Sequence, residues 1–445
     1  MNIFFVSLGC DKNLVDSENM LGILHGNGYQ ITQEEANAEI IIINTCCFIH
    51  DAKQESINTI LEMAEYKKRG SCKALIVTGC LAERYKEEIL TEIPEVDALL
   101  GTSSFTGILK VVEELTDGQK YSRFDPLDLP PVAAKGRVLT SGTHYAYLKI
   151  AEGCDKHCTY CIIPQVRGNY RSIPMEELLS EAEYLSAQGI KELILVAQET
   201  TLYGSDLYGR KALPELLTKL AGISGIEWIR ILYCYPEEIT EELISVMKNE
   251  PKICHYLDIP IQHASDRILK LMGRRTDRAD LESIISRLRT EIPDITLRTT
   301  LITGFPTETE EDHAELMEFV KTQRFDRLGV FTYSKEDNTP AAKLKPQITA
   351  KVKKQRQKEL MKLQQSIVFE TNQSRIGRTY EIITEGRIAE EENVYIGRTY
   401  MDAPQVDGFL FFTAEEELIS GDLVKVKVKQ AKGYDLVGEI MKGSE

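Results

Sequence analysis

The chain has no run of about 18 apolar residues, so no membrane-spanning helix is expected. Ser7-Leu8-Gly9-Cys10 faintly resembles a lipoprotein cleavage site. The basic flank and the long apolar stretch of a signal peptide are missing, so a cytoplasmic location is expected. Neither a GxGxxG nor a P-loop follows any strand-like segment, which removes support for a dinucleotide or nucleoside-triphosphate cradle. No heptad pattern or exposed apolar stripe argues for an oligomer, so a monomer is expected. A fourth metal ligand is also missing: after Cys154, Cys158 and Cys161 no further cysteine or histidine follows at a suitable spacing. Structural zinc prefers four closed ligands and fits such a triplet poorly.

The 445 residues, 42% hydrophobic and 27% charged, have the composition of a globular chain of two to four domains. The net charge of −16 repels a phosphate backbone and attracts a basic protein. The 10 cysteines point, in a reducing compartment, to metal binding or catalysis rather than disulfides.

The most informative stretch is Cys154-Asp155-Lys156-His157-Cys158-Thr159-Tyr160-Cys161, with CxxxCxxC spacing. Three thiolates can hold a four-iron four-sulfur cluster at three corners and leave one iron open to a substrate.

Residues 1–125 alternate strand and helix, with strands expected at 2–7, 39–43 and 73–77 and helices at 14–25, 53–68 and 83–91. This rhythm predicts a parallel sheet. Cys10, Cys46 and Cys80 each follow one of the strands directly. The carboxyl ends of parallel strands share one edge, so these cysteines are expected to converge there, with helix amino ends aimed at them. One such cysteine is more simply a buried core residue; three in register favour a shared metal site. Cys47 competes with Cys46, which is preferred because it directly follows Asn44-Thr45.

Asp125-Pro126-Leu127-Asp128-Leu129-Pro130-Pro131 reads as an extended linker. Strand candidates at 147–151, 192–197, 228–233, 256–259, 296–302 and 328–332 then alternate with helical patterns. Six βα units predict a parallel barrel or part-barrel, with the CxxxCxxC run after its first strand, at the active end. Residues 351–363 are basic and amphipathic, read as a solvated helix face. Short strands at 379–384, 392–398, 409–413, 423–429 and 436–440 predict a small β-barrel. Such barrels often bind RNA, but from Arg375 to Glu445 there are 9 Lys and Arg against 14 Asp and Glu. That acidic balance disfavours direct nucleic-acid binding.

The run from Tyr147-Leu148-Lys149-Ile150-Ala151-Glu152-Gly153-Cys154 to Arg171-Ser172 resembles radical S-adenosylmethionine enzymes. Three upstream cysteines and a terminal β-barrel make the whole chain similar to the methylthiotransferases. Ser7-Leu8-Gly9-Cys10-Asp11-Lys12-Asn13-Leu14-Val15-Asp16-Ser17-Glu18, Asp258-Ile259-Pro260-Ile261-Gln262-His263-Ala264-Ser265-Asp266 and Asp402-Ala403-Pro404-Gln405-Val406-Asp407-Gly408 resemble the subgroup that modifies a ribosomal protein (RimO type). Cys47 and Asp11 depart from the family, which often has glycine and proline there.

The resemblance implies a multi-domain α/β chain. Its parts are a cluster domain over 1–125 (a small parallel α/β sandwich), a linker over 126–140, a radical domain over 141–371 (a partial (β/α)6 barrel) and an OB-like antiparallel TRAM barrel over 372–441. It implies two four-iron four-sulfur clusters, one on the catalytic Cys154, Cys158 and Cys161 and one on Cys10, Cys46 and Cys80. It implies S-adenosylmethionine in two roles, as methyl donor and as the source of a 5′-deoxyadenosyl radical, and an external electron donor. The implied substrate is a basic small-subunit ribosomal protein, changed from C–H to C–SCH3 at the β-carbon of an aspartate. For cofactor contacts, Tyr160 either packs near the adenine or is plain core; Gln198, Glu199, Arg298 and Thr300 are candidates for the methionine or ribose, and the backbone at Gly304 for the adenine. The rivals are methylthiolation of a transfer-RNA adenosine, supported by the basic stretch at 351–362, a non-catalytic iron–sulfur protein and a structural zinc protein.

Overall fold

The computed structural model describes residues 1–115, 120–133, 136–389, 391 and 393–441. Of the expected features, Glu392 at the start of a strand, positions 116–119 of the first unit, 134–135 of the linker and 390 of the terminal barrel lie outside the described residues.

The amino-terminal unit is a six-stranded, all-parallel sheet. Strands Asn2–Ser7, Ile40–Thr45 and Ala74–Gly79 lie side by side at its centre. Ile40–Thr45 and Ala74–Gly79 are buried throughout, as continuous apolar strands covered on both faces must be. Gln30–Ile31, Ala98–Leu100 and Tyr121–Arg123 add strands beyond the three expected, too short to show a period. Helices Asp11–Gly26, His50–Ala64 and Cys80–Tyr85 follow the central strands. The expected third helix is broken at Lys86, whose φ of 42° ends one helix before Glu87–Glu92 begins.

The central unit is an open, parallel six-stranded sheet in sequence order: Tyr145–Lys149, Glu192–Val196, Trp228–Ile231, Ile253–Asp258, Thr296–Thr303 and Arg327–Thr332. Its outer face packs on helices through a single large apolar core. Its concave face holds Tyr147, Ile194, Val196, Trp228 and Tyr256, packed against Val15 from the first unit and Ile383 and Ala403 from the last. The partial barrel is thus sealed by its neighbours rather than by further strands.

The carboxyl-terminal unit is a closed five-stranded barrel. Four of its strand pairs are antiparallel, as expected. Leu410–Thr413 with Asp435–Ile440 differs: this pair runs parallel and closes the ring. Helix Ala350–Ser374 connects the two barrels. Its basic stretch divides by face: Arg356 is buried on Glu308 at 2.8 Å and Lys353 Nζ donates to the Tyr333 carbonyl, while Lys351, Lys354, Lys358 and Lys362 are exposed.

Buried ions lock the last unit to the partial barrel. Glu192, Arg230 and Arg398 are all 0% exposed, with Glu192 accepting from Arg230 at 2.7 Å and from Arg398 at 2.6 Å. Arg230 also donates to the Tyr400 carbonyl. Burial alone would raise the Glu192 carboxyl; the two guanidinium groups instead hold it down to about 2. The stabilisation is therefore present above the ordinary carboxylate range and lost as pH falls through about 2. Removing one partner strands buried charge, so Glu192→Ala is expected to cost roughly 3–5 kcal/mol. Hydrogen exchange should show the loss first in strand Thr379–Arg387, whose Ile383 sits in this interface.

Candidate active site

At the amino-terminal sheet edge, asparagine side chains tie the strand ends together. Asn13 Nδ2 donates to the carbonyls of Leu8 and Thr45, each at 3.0 Å, and Asn44 Nδ2 donates to the Asn13 carbonyl at 2.9 Å. Gly79 has φ of 90°, and a Cβ there would stand 2.2 Å from Asn44 Oδ1 and 2.6 Å from the Thr45 carbonyl oxygen. Only glycine fits this crossing, and the crossing turns Cys80 toward the other two thiols. Cys46 Sγ lies against the turn before Cys10: a Cβ on Gly9 would be 3.1 Å from that sulfur. Cys10, Cys46 and Cys80 are close enough for their charges to act on one another, and burial pushes the Cys46 thiol up to about 12. Cys47 is fully buried in the apolar cluster, and its Sγ donates to the Cys80 carbonyl at 3.2 Å.

The second triad follows the first strand of the partial barrel. Cys154 and Cys158 are buried and Cys161 half-buried. The loop is fixed by backbone bonds from Cys154 to the Gly168 carbonyl and from Cys161 to the Cys158 carbonyl, at 3.1 and 3.0 Å. Tyr235 Oη lies 3.8 Å and Arg274 Nη1 3.9 Å from Cys158 Sγ. Burial pushes the Cys154 thiol up to about 11. A bound cation would have to draw both triads into the thiolate form, releasing protons.

The segment that carries the second triad reaches the first. Arg167 ends the short helix Ile163–Arg167 that follows the CxxxCxxC run, and it reaches back into the first unit. It is 2% exposed. Its Nε donates to Cys80 Sγ at 3.4 Å, and its Nη1 to Asp16 at 2.8 Å and Glu152 at 3.0 Å. Its Nη2 donates to Asn13 Oδ1. Lys149 pairs with Asp16 and, at 2.9 Å, with Glu152; Gln198 donates to Glu152 at 2.7 Å. Two anions and two cations thus neutralise one another where the units join. Beside them Lys12 Nζ lies 3.2 Å from the centroid of the Tyr233 ring, and Tyr233 Oη donates to Asp11 at 3.3 Å. The residues next to Cys10 therefore touch the carboxyl end of the third barrel strand.

Around this mouth several buried polar atoms make no hydrogen bond among the described residues: Gln198 Oε1, Thr200 Oγ1 and Arg274 Nε, with Glu199 Oε2 and Asp258 Oδ1 held only in long ion pairs, 3.8 Å from Lys156 and 3.7 Å from Arg298. Buried groups of this kind call for a ligand. Burial pushes the Glu199 carboxyl up to about 8, against the pull of Lys156. Acceptors beside a guanidinium suit the ammonium, carboxylate and hydroxyls of an amino-acid nucleoside. Among the described residues no three His, Cys, Asp or Glu side chains gather tightly enough to hold a metal ion. A four-iron cluster is wider than an ion and takes its thiolates at separate corners.

Arg298 and Gly304, both expected near the cofactor, have protein neighbours as well. Arg298 donates to Asp407 of the terminal unit at 2.6 Å and lies 3.7 Å from Asp258. The left-handed turn at Gly304 makes room for Lys353, whose Cα would be 3.2 Å from an added Cβ. Tyr160 packs edge-on against Phe305, with ring centroids 6.5 Å apart. Sequence reasoning missed Arg167, Arg274 and Tyr235. Only Arg167 had a local signal, lying six residues after Cys161 in the resembling run.

Family models match three segments: residues 2–101 the model described as Uncharacterized protein family UPF0004, 148–320 the Radical SAM superfamily and 376–441 the TRAM domain. The ribosomal protein uS12 methylthiotransferase RimO of Lachnoclostridium phytofermentans is 64% identical over 98% of this chain and 99% of its own. The chain belongs to the RimO family of radical S-adenosylmethionine methylthiotransferases. A RimO from Acetivibrio thermocellus is 54% identical over 99% of this chain and 98% of its own. The fold is shared with the solved radical S-adenosylmethionine methyltransferase TsrM from Kitasatospora setae: TM-score 0.56, 12% identity, 76% of each chain covered. Membership makes the chain an enzyme, which removes the non-catalytic and zinc-protein readings, and the radical domain implies S-adenosylmethionine and an iron–sulfur cluster. Among the described residues no helix is long and apolar enough to cross a membrane.

Proposed function

We propose that this chain inserts a methylthio group at the β-carbon of an aspartate in the small-subunit ribosomal protein uS12, consuming two S-adenosylmethionine molecules and using two iron–sulfur clusters in the cytoplasm. The observation that carries this reading is Arg167, which ends the short helix after Cys161 and donates to Cys80 Sγ, so that the segment of one thiol triad reaches the other. Cys154, Cys158 and Cys161 would hold the radical-generating cluster, and Cys10, Cys46 and Cys80 the cluster that carries sulfur. The functional units would span 1–125, 141–371 and 372–441. When bound, the radical cluster and S-adenosylmethionine supply a carbon radical able to take hydrogen from an unactivated carbon, which no side-chain acid or base can do.

The chain's own residues hold and shield. Gln198, Glu199 and Arg274 offer acceptors and a donor free of hydrogen bonds among the described residues for the amino-acid end of S-adenosylmethionine. Val15, Ile383 and Ala403 close the concave face against water. The net charge of −16 draws in a basic ribosomal protein and repels transfer RNA.

The test is mass spectrometry of uS12 after anaerobic incubation with reconstituted enzyme, reductant and S-adenosylmethionine. A gain of one SCH2 unit on an aspartate peptide is expected. Modification of transfer RNA with uS12 left untouched would overturn the reading.

A further inference from the structure

An aspartate that gains a methylthio group at its β-carbon carries a carboxylate on the atom that reacts. Inside a site closed to water that carboxylate needs a cation. The sulfur must reach the same carbon, so the cation has to stand beside the triad that carries the sulfur. Under the reading proposed above, that triad is Cys10, Cys46 and Cys80.

Most cations of the junction are already committed. Arg167 donates from each of its three nitrogens, to Cys80 Sγ, Asp16, Glu152 and Asn13. Lys149 is held by the same Asp16 and Glu152. Arg298 is shared by Asp407 and Asp258, and Lys156 faces Glu199, Glu237 and Glu238. Arg274 stands at Cys158, in the other triad. Lys12 differs from all of these. It lies two residues after Cys10, in the first turn of helix Asp11–Gly26, and is 6% exposed. It is close enough to Cys10 for the charge of that thiol to act on it. Its Nζ is 2.9 Å from Asp11 Oδ1 and 3.2 Å from the centroid of the Tyr233 ring. An ammonium has three N–H donors. Asp11 takes one and the ring face another, and the third meets no acceptor among the described residues. Asp11 is itself shared, accepting from Tyr233 Oη at 3.3 Å. A desolvated ammonium with a donor to spare can take one more carboxylate in a charge-assisted hydrogen bond.

We propose that Lys12 receives the side-chain carboxylate of the substrate aspartate and so sets a preference for an anionic residue over a neutral one. The inference rests on the methylthio-transfer reading. It makes Lys12 a specificity residue: it binds and orients, and no bond to it forms or breaks.

The test compares uS12 with a form in which asparagine replaces the modified aspartate, each titrated by calorimetry into the anaerobically reconstituted enzyme. The overall field works against the expected result. The asparagine form carries one negative charge fewer, which favours its binding to a chain of net charge −16. A local cation reverses that order, and the aspartate form is expected to bind about tenfold or more tightly than the asparagine form. In Lys12→Met the ratio should fall to about one or below, whereas Lys12→Arg keeps the charge and should keep a preference. If Lys12 only fastened its helix to the third barrel strand through Tyr233, its loss would weaken both forms alike and leave the ratio unchanged. Iron content per chain checks that the variants retain what the parent holds. Equal or tighter binding of the asparagine form by the parent enzyme overturns the proposal without recourse to any variant. So does a preference for aspartate that survives in Lys12→Met. A parent enzyme that binds neither form overturns the ribosomal-protein reading itself, and the proposal with it.

Discussion

Cys154→Ala is expected to abolish reductive cleavage of S-adenosylmethionine, whereas Cys10→Ala leaves cleavage running and abolishes only methylthio transfer. Each lost activity should fall by at least about a thousandfold, equivalent to about 4 kcal/mol of barrier. The asymmetry follows from the placement of the two triads. Cys154 belongs to the loop after the first barrel strand, whose Cys158 faces Tyr235 and Arg274, whereas Cys10 caps helix Asp11–Gly26 in a separate sheet. Chromatography of 5′-deoxyadenosine and mass spectrometry of uS12 read the two activities separately. Equal loss of both in Cys10→Ala would mean that the triads act as one site.

Arg167→Ala is expected to have the second largest effect, although Arg167 is not a thiol ligand. Groups that hydrogen-bond a ligand typically change metal retention or activity by roughly 10–100-fold. Here the loss includes a bond to Cys80 Sγ at 3.4 Å and the neutralisation of Asp16 and Glu152. Lys149 alone then faces two buried carboxylates, at a cost of about 3–5 kcal/mol. A merely structural role would lower stability and leave the spectroscopy unchanged. If Cys80 holds the proposed second cluster, its bond from Arg167 tunes the redox potential, so the potential of that cluster should fall while that of the other holds. Arg167→Lys keeps the charge but loses the planar fork, and is expected to recover stability more fully than potential. Redox titration followed by electron paramagnetic resonance checks both variants.

Periodicity placed the core of both sheets. Residues 39–43 and 73–77 read as strands because β-branched and other apolar side chains dominate them, and the strands found there are buried throughout. The same reading put Cys10, Cys46 and Cys80 at strand ends, and parallel geometry then implied that they converge. Strands of two or three residues, such as Gln30–Ile31 and Tyr121–Arg123, were missed because they span too little of the pleat to show alternation. The parallel closure of the terminal barrel depends on which edges meet, a long-range choice no local pattern encodes. Gly304 and Arg298 were read as cofactor contacts from their position at the rim. Their partners, Lys353 and Asp407, lie 49 and 109 residues further along the sequence. Arg274 reaches Cys158 across a similar gap, which is why the residues that tune the site were harder to foresee than the thiols.

The most direct test of the account is the iron and acid-labile sulfide content of the anaerobically reconstituted chain, measured with two variants lacking one triad each. Two independent four-iron clusters predict about eight irons in the parent and about four in each variant, with distinct Mössbauer or paramagnetic signatures for the two sites. About four irons in the parent, lost wholly when Cys154, Cys158 and Cys161 are replaced and wholly kept when Cys10, Cys46 and Cys80 are replaced, would contradict it.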